Sequence, residues 1–508
     1  MNERSTTGLP NGSGVRLKYA SLVMYALNIG GAIFALYFIT LLTRRVTVDE
    51  YGIYVMIMRY VSYFLVPSAV YAFWIGRNIS RGQNTSRTGV YTSLVFALGS
   101  LPIYLAVMWF VSSQFNQPLL PLILSAGILI LELLNSSINA VSGGYAPQYV
   151  GYGTFIQEFA QAISAYIIIG LLALGLTGVM LVAIVARALM IAVGLYLNRS
   201  MIVKSKFDRD VFFSWLKSSW LPLLWNISGI LATFDVVIVR FFYQTEVPIA
   251  FFGICQTVLA LSLFSGVVIS SLYPKIVSKK NIEDLREALW LLLLLSLPIV
   301  FLIILYAAPI CALFGLNYLP DALALKVYAI VSVVQLLANL SSTVYLALES
   351  VDASSMSTSI LLKSALFKNN LVLLVINIFY LVLIAFFSIM KYDTIFFVML
   401  WSASVGIVFL SQFLICTHLI KRDFGFKFPF KQLIHDLAYF IIPLLLMVVP
   451  SLLISVQISE SFYQTFLSLV IPVALSLTLY LLALLAIDNR FRSLARQILN
   501  KFAIWRQV

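Results

Sequence analysis

Residues 119–140 read LLPLILSAGILILELLNSSINA. A helix needs about 20 apolar residues to cross a bilayer core, and this run is long enough. It nevertheless carries Glu132, Asn135, Ser136 and Asn139, which fall at i, i+3, i+4 and i+7, one continuous helical face. Polar groups are costly against lipid, so that face must look into a protein interior or a water-filled cavity. A spanning helix with one polar face is the unit from which the rest of the chain is read.

Composition extends the reading. Of 508 residues, 61% are hydrophobic and only 10% charged, with mean hydropathy +1.00; soluble proteins carry about 25% charge. The chain is therefore an all-α polytopic membrane protein. Apolar runs separated by short polar, glycine or proline punctuation predict about fourteen transmembrane helices, near 18–42, 52–76, 89–112, 118–140, 154–174, 176–197, 218–241, 248–273, 288–314, 321–348, 366–389, 394–418, 433–456 and 463–487.

Charge placement tests that count, because cytoplasmic loops collect Lys and Arg. With a cytoplasmic N-terminus, only Arg44, Arg45, Arg240, Lys326 and Lys391 of the 33 Lys and Arg fall in or next to the outside loops, and only Arg59 and Arg187 lie deep within spans. One missed span would invert every later loop and destroy the bias. Both termini are expected in the cytoplasm, in a multi-pass protein of the cytoplasmic membrane. The net charge of +13 then reflects topology and anionic headgroups, not nucleic acid. Residues 1–17 read as a flexible tail without the features of a cleaved signal. In 488–508, Phe491, Leu494, Ile498 and Phe502 alternate with basic residues at helical spacing, which predicts a tail lying on the membrane surface.

The polar face of the fourth run has a counterpart in the tenth, where Tyr328, Ser332, Gln335, Asn339 and Ser342 share helical spacing. Four and ten differ by six, as two six-helix lobes in tandem would. The expected organisation is a lobe over 18–198, a cytoplasmic linker over 199–217, a second lobe over 218–420 facing the first across a central cleft, and two additional helices over 421–487.

Ionisable residues inside spans are functional candidates. The first lobe holds Arg59, Glu132, Glu158 and Arg187; the second holds Asp235 and Arg240, with Lys363 and Lys368 near its eleventh span. The competing reading is structural: Arg59 paired with Glu132 or Arg187 with Glu158, and Arg240, Lys363 and Lys368 reaching to the interface along their apolar stems. Two histidines, and three cysteines each inside an apolar run, leave no material for a metal centre or a Ser/His/Asp triad. No Gly-Lys step exists, so no P-loop binds nucleotide. No catalytic residue, metal or cofactor is expected. Asp208, Arg209 and Asp210 form the chain's Asp-x-Asp spacing, read as a solvated loop.

Several stretches carry a resemblance. LLTRRVTVDEYGIY (41–54), APQYVGYGTFIQ (146–157), ATFDVVIVRFFYQTEVPIAFFGICQTV (232–258), SSLYPKIVS (270–278) and APICALFGLNYLPDA (308–322) together resemble the polysaccharide-biosynthesis flippases of the multidrug/oligosaccharidyl-lipid/polysaccharide exporter superfamily. Each motif is short; five in order over the first 350 residues carry the resemblance. Asp235 falls at that family's acidic position. ESVDASSMSTSILLKSALFKNN (349–370) departs from its glycine-rich pattern.

The resemblance implies flipping of a polyprenyl (di)phosphate-linked oligosaccharide by alternating access, in the company of glycosyltransferases or a polymerase of the same pathway. An anionic headgroup crossing the membrane needs cations in place of its hydration, which makes Arg59 and Arg187 the candidate headgroup ligands. Glu132, Asn135, Asn139, Gln335 and Asn339 offer hydrogen bonds to sugar. Glu132, Glu158 and Asp235 are the candidate ion-coupling acids. The alternatives are a cation-coupled drug efflux antiporter of the same superfamily, for which those acids would bind cargo, and a polytopic polymerase or glycosyltransferase, against which the lack of charge in the outside loops between spans three and four and between five and six argues.

Overall fold

A computed structural model describes residues 17–217, 219–266, 268–269, 276, 282–349 and 364–496. The expectations for the N-terminal tail, most of 270–278, Lys363 and its neighbours in 350–363, and Ile498 and Phe502 lie outside them. Among the described residues every regular element is helical. Eleven helices are long and apolar enough to span a membrane, or twelve counting the pair Val48–Tyr63 and Ser68–Ser80, bent by 64°. The remaining two expected spans coincide with Leu17–Arg45 and with Val247–Leu263, a shorter apolar helix. The outward surface is apolar, with Leu98, Trp109, Leu171, Val382 and Leu452 all exposed, as a lipid-facing belt requires.

Chain packing divides the protein into two compact units, Met1–Ala250 and Phe251–Val508. In the first, α1 (Leu17–Arg45) lies along α6 (Gln148–Ala165), which packs on α7 (Gly175–Leu197). The fourth span, α5 (Leu119–Tyr145), touches α7, α4 (Ser86–Phe115) and α3 (Ser68–Ser80). Its residues Leu133, Ser137, Ile138 and Val141 are buried, which leaves Glu132, Asn135, Ser136 and Asn139 on the half-exposed side.

The turn into α2 (Val48–Tyr63) explains the motif at 41–54. Thr47 and Glu50 cap one another's backbone, Glu50 N–H donating to Thr47 Oγ1 at 3.2 Å and Thr47 N–H to Glu50 Oε2 at 2.9 Å. This is a capping box. Two residues on, a Cβ at Gly52 would sit 2.4 Å from the Glu246 carbonyl oxygen, so only glycine admits that approach. Gly52→Ala should destabilise the protein by about 1–3 kcal/mol, read as loss of the monodisperse peak after detergent extraction. Gly99→Ala, whose Cβ would meet nothing within 4 Å, should leave that peak intact.

The same turn exposes a fixed point at this end of the unit. Arg240, on α11 (Asp235–Tyr243), is buried: its Nε donates to Glu246 Oε1 at 2.8 Å and its Nη2 to the Phe115 carbonyl at 2.8 Å. Gln117 Nε2 adds a second donor to Glu246 at 3.1 Å. The interface-reaching role expected of Arg240 is thus replaced by a buried ion pair, because Glu246 lies one turn past the helix end and within reach.

In the second unit, α15 (Ala322–Leu348) packs along α17 (Thr394–Phe424), and α16 (Ala365–Ile389) packs on both. The Phe252 ring stacks on Trp401 with centroids 4.1 Å apart, so the aromatic-Gly step entering α12 (Val247–Leu263) is a packing feature. All three cysteines are buried. Lys368 is held at 2.8 Å by Asp423, which also accepts from Tyr345. The start of the C-terminal tail is tied to the protein: Arg490 pairs with buried Asp436 at 2.7 Å, and Trp290 Nε1 donates to Asp488 at 3.0 Å. Phe491 and Leu494 pack against this unit's core, whereas the tail was expected to lie on the membrane.

Candidate functional site

The polar face of α5 is where the first unit collects charge. Arg187, contributed by α7, donates from Nε to Glu132 Oε1 at 2.6 Å, and Asn135 Nδ2 donates to Glu132 Oε2 at 3.3 Å. Arg187 Nη1 reaches the carbonyl of Ala183, one turn earlier, at 3.3 Å. The pair is neither core nor surface, at 12% and 21% exposure. A guanidinium carries five N–H donors in a planar fork, so these bonds fix its plane and leave donors for a ligand.

Glu158 approaches from α6. A Cβ on Gly31 would lie 3.5 Å from the Glu158 Cγ, so α1 leaves room for that side chain. Arg187 is in electrostatic reach of Glu158, and both act on the Tyr54 hydroxyl of α2. Four helices thus converge on one arginine flanked by two acids. The competing structural reading pairs Arg59 with Glu132 or Arg187 with Glu158; in the structure Glu132 closes on Arg187, because α5 and α7 are direct neighbours. Tyr54 is a member that helical spacing did not reveal: it lies at the end of the 41–54 stretch, which is read only for its family resemblance.

Arg59 is half-buried on α2 and acts electrostatically on Tyr63. The Tyr63 hydroxyl donates to the Thr233 carbonyl at 2.5 Å, and its ring stacks on Phe234 at 4.4 Å between centroids. Asp235 follows directly; it is buried, accepts the N–H of Val236 at 2.7 Å and also acts on Tyr63. The two groups centre on α2 residues five apart, a rise of about 7.5 Å. Ser136 is tied to the Tyr71 hydroxyl of α3 at 2.8 Å, while Asn139 stays half-exposed and makes no hydrogen bond among the described residues.

The stripe on α15 behaves differently. Tyr328 and Ser332 are buried, Tyr328 against Phe252, and Ser342 donates to Asn369 Oδ1 at 3.0 Å. Gln335 is half-buried and Asn339 exposed. The expected face therefore splits into a packed half and an open half. Asn369, Asn370 and Asn377 of α16, all buried, form a polar face of their own; the i, i+1, i+8 spacing was visible in the sequence. No cluster of His, Cys, Asp and Glu suited to a metal occurs among the described residues.

No protein-family model and no curated protein matches the sequence. Solved structures do match in three dimensions. The lipid II flippase MurJ in an inward closed conformation aligns with TM-score 0.67 at 15% identity, covering 93% of this chain and 100% of that one. An inward-facing multidrug resistance transporter of the MATE family aligns at 0.61 and 13%, covering 79% and 98%. A transporter of the MOP superfamily from Pyrococcus furiosus Vc1 aligns at 0.54 and 13%, covering 81% and 99%. The helical fold described above is similar to the folds of these three transporters.

Proposed function

We propose that the protein flips a polyprenyl (di)phosphate-linked oligosaccharide across the cytoplasmic membrane by alternating access, with both termini in the cytoplasm. The observation that carries this reading is Arg187, held by Glu132 with donors to spare beside the half-exposed amides of Asn135 and Asn139. A planar guanidinium fixed in a partly desolvated site suits a phosphate oxygen pair, and the amides suit sugar hydroxyls. Arg59 would serve the second phosphate or the first sugar; Gln335 and Asn339, on the polar stripe of α15, are proposed in their own right as hydrogen-bond partners for sugar. Glu132, Glu158 and Asp235 are the acids through which a proton or sodium gradient would couple. The likeness to the lipid II flippase MurJ is in keeping with a lipid-linked substrate, and the likeness to the MATE transporter is equally in keeping with efflux.

A second reading rests on the same cluster. Glu132 and Glu158 outnumber Arg187, so a local negative balance favours a cationic solute and efflux. The two separate by binding: detergent-purified protein should retain a lipid diphosphate oligosaccharide and lose it in Arg187→Gln. Unchanged retention in Arg187→Gln, with a cationic dye displaced instead, would support the efflux reading.

A further inference from the structure

At one end of the first unit, the segment joining α7 to α10 (Trp220–Ala232) folds against the chain rather than looping free. It contains α8 (Arg199–Lys204) and α9 (Arg209–Lys217). Asn84 Nδ2 donates to the Met201 carbonyl at 2.8 Å, Ser205 Oγ to the Asn84 carbonyl at 2.8 Å, and Asp208 N–H to Thr88 Oγ1 at 3.0 Å. Asp208 then accepts the N–H groups of Asp210 and Val211 at 2.9 and 3.1 Å; the Asp-x-Asp spacing is a helix cap. The inner face of α9 buries Trp215 beside Met201, while Phe213 and Leu216 remain exposed.

Across that outer face runs a strip of rings. Tyr91 meets Phe207 with centroids 5.8 Å apart, Phe207 meets Phe212 at 6.4 Å, and Phe212 meets Phe213 at 5.3 Å. Arg87 caps one end, 5.7 Å over Tyr91, and Arg209 caps the other, 5.6 Å over Phe213. Tyr91, Phe207 and Phe213 are exposed. Aromatic rings that sit at headgroup depth, with arginines projecting past them, match the polar–apolar boundary of a bilayer. The positive charge selects among lipids: basic residues near the surface gain about 1 kcal/mol each from an anionic leaflet and nothing comparable from a zwitterionic one.

We propose that this strip is a binding surface for anionic phospholipids of the cytoplasmic leaflet, with Arg87 and Arg209 engaging headgroup phosphates and Phe207 and Phe213 seated at the acyl boundary. Because Ser205 and Asp208 fasten the strip to Asn84 and Thr88 at the start of α4, lipid bound there stabilises the fold of the first unit. Ligand that binds only the folded state raises its melting temperature.

The test uses the full chain in nanodiscs of phosphatidylcholine alone or phosphatidylcholine doped with phosphatidylglycerol. The unaltered protein should gain several degrees in melting temperature with phosphatidylglycerol, and the gain should shrink at high salt. Arg87→Gln/Arg209→Gln should lose at least half of it, whereas Lys427→Gln/Lys431→Gln, the same charge change on exposed lysines of the second unit, should retain it. Phe213→Ala keeps every charge and should lose part of the gain, which covers the case of a double variant that does not fold. No gain in the unaltered protein overturns the proposal, as does an equal gain in Arg87→Gln/Arg209→Gln and Phe213→Ala.

Discussion

Arg187→Ala should lower transport of lipid-linked oligosaccharide by roughly 10- to 100-fold, the equivalent of losing a charged hydrogen-bond pair worth about 1.5–3 kcal/mol. The protein should remain in the membrane, because the 2.6 Å pair with Glu132 is partly open to solvent and the remaining carboxylate can be hydrated. Arg187→Lys should recover only part of the rate, since an ammonium keeps the charge but loses the planar fork. Glu132→Gln separates the two readings of the cluster. In a flippase it frees the arginine, so lipid diphosphate binding should be kept or strengthened; in a cation exporter it removes the binding acid and should abolish transport. Measuring rate and retained substrate together on these three variants decides the role of Arg187. An Arg187→Ala protein that transports normally would show the pair to be structural.

Arg240→Ala should have the largest effect on stability. Its removal leaves Glu246 buried beside Gln117 with its main counter-charge gone, and breaking a buried pair from one side costs about 3–5 kcal/mol. The expected result is severe loss of folded protein on extraction and a lowered melting temperature, with Glu246→Ala similar. The double variant Arg240→Met/Glu246→Leu removes both charges together and should recover much of the loss, because an apolar replacement of a buried pair is often tolerated. Equal destabilisation in the double and single variants would mean that the bond from Arg240 to the Phe115 carbonyl, not the pair, is what matters.

Much of this was legible in the sequence. Hydropathy and charge bias located the helices, and the i, i+3, i+4, i+7 spacing isolated the polar face of α5, because both follow from local periodicity against a uniform lipid solvent. Pairing was not legible. Which acid meets Arg187 depends on which helices touch, and α5 with α7 gives Glu132 the contact that spacing offered equally to Glu158. The stretches at 41–54 and 232–258, which carry the family resemblance, encode a capping box at Thr47, a close approach at Gly52 and a ring stack at Phe252. In the tenth span helical spacing overreached. Tyr328 and Ser332 share a face with Gln335 but are covered by neighbours, and a one-dimensional pattern cannot distinguish a polar group facing a cavity from one satisfied within its own helix.

The account turns on what the protein moves. Purified protein in proteoliposomes, loaded on one leaflet with a fluorescent lipid-linked oligosaccharide, should make that lipid accessible in the opposite leaflet. The rate should fall at least roughly tenfold in Arg187→Ala, and its response to an imposed pH or sodium gradient should be lost on replacing whichever of Glu132, Glu158 or Asp235 couples. Absence of lipid movement, alongside gradient-driven accumulation of a cationic dye that depends on Glu132 and Glu158 and not on Arg187, would contradict the account.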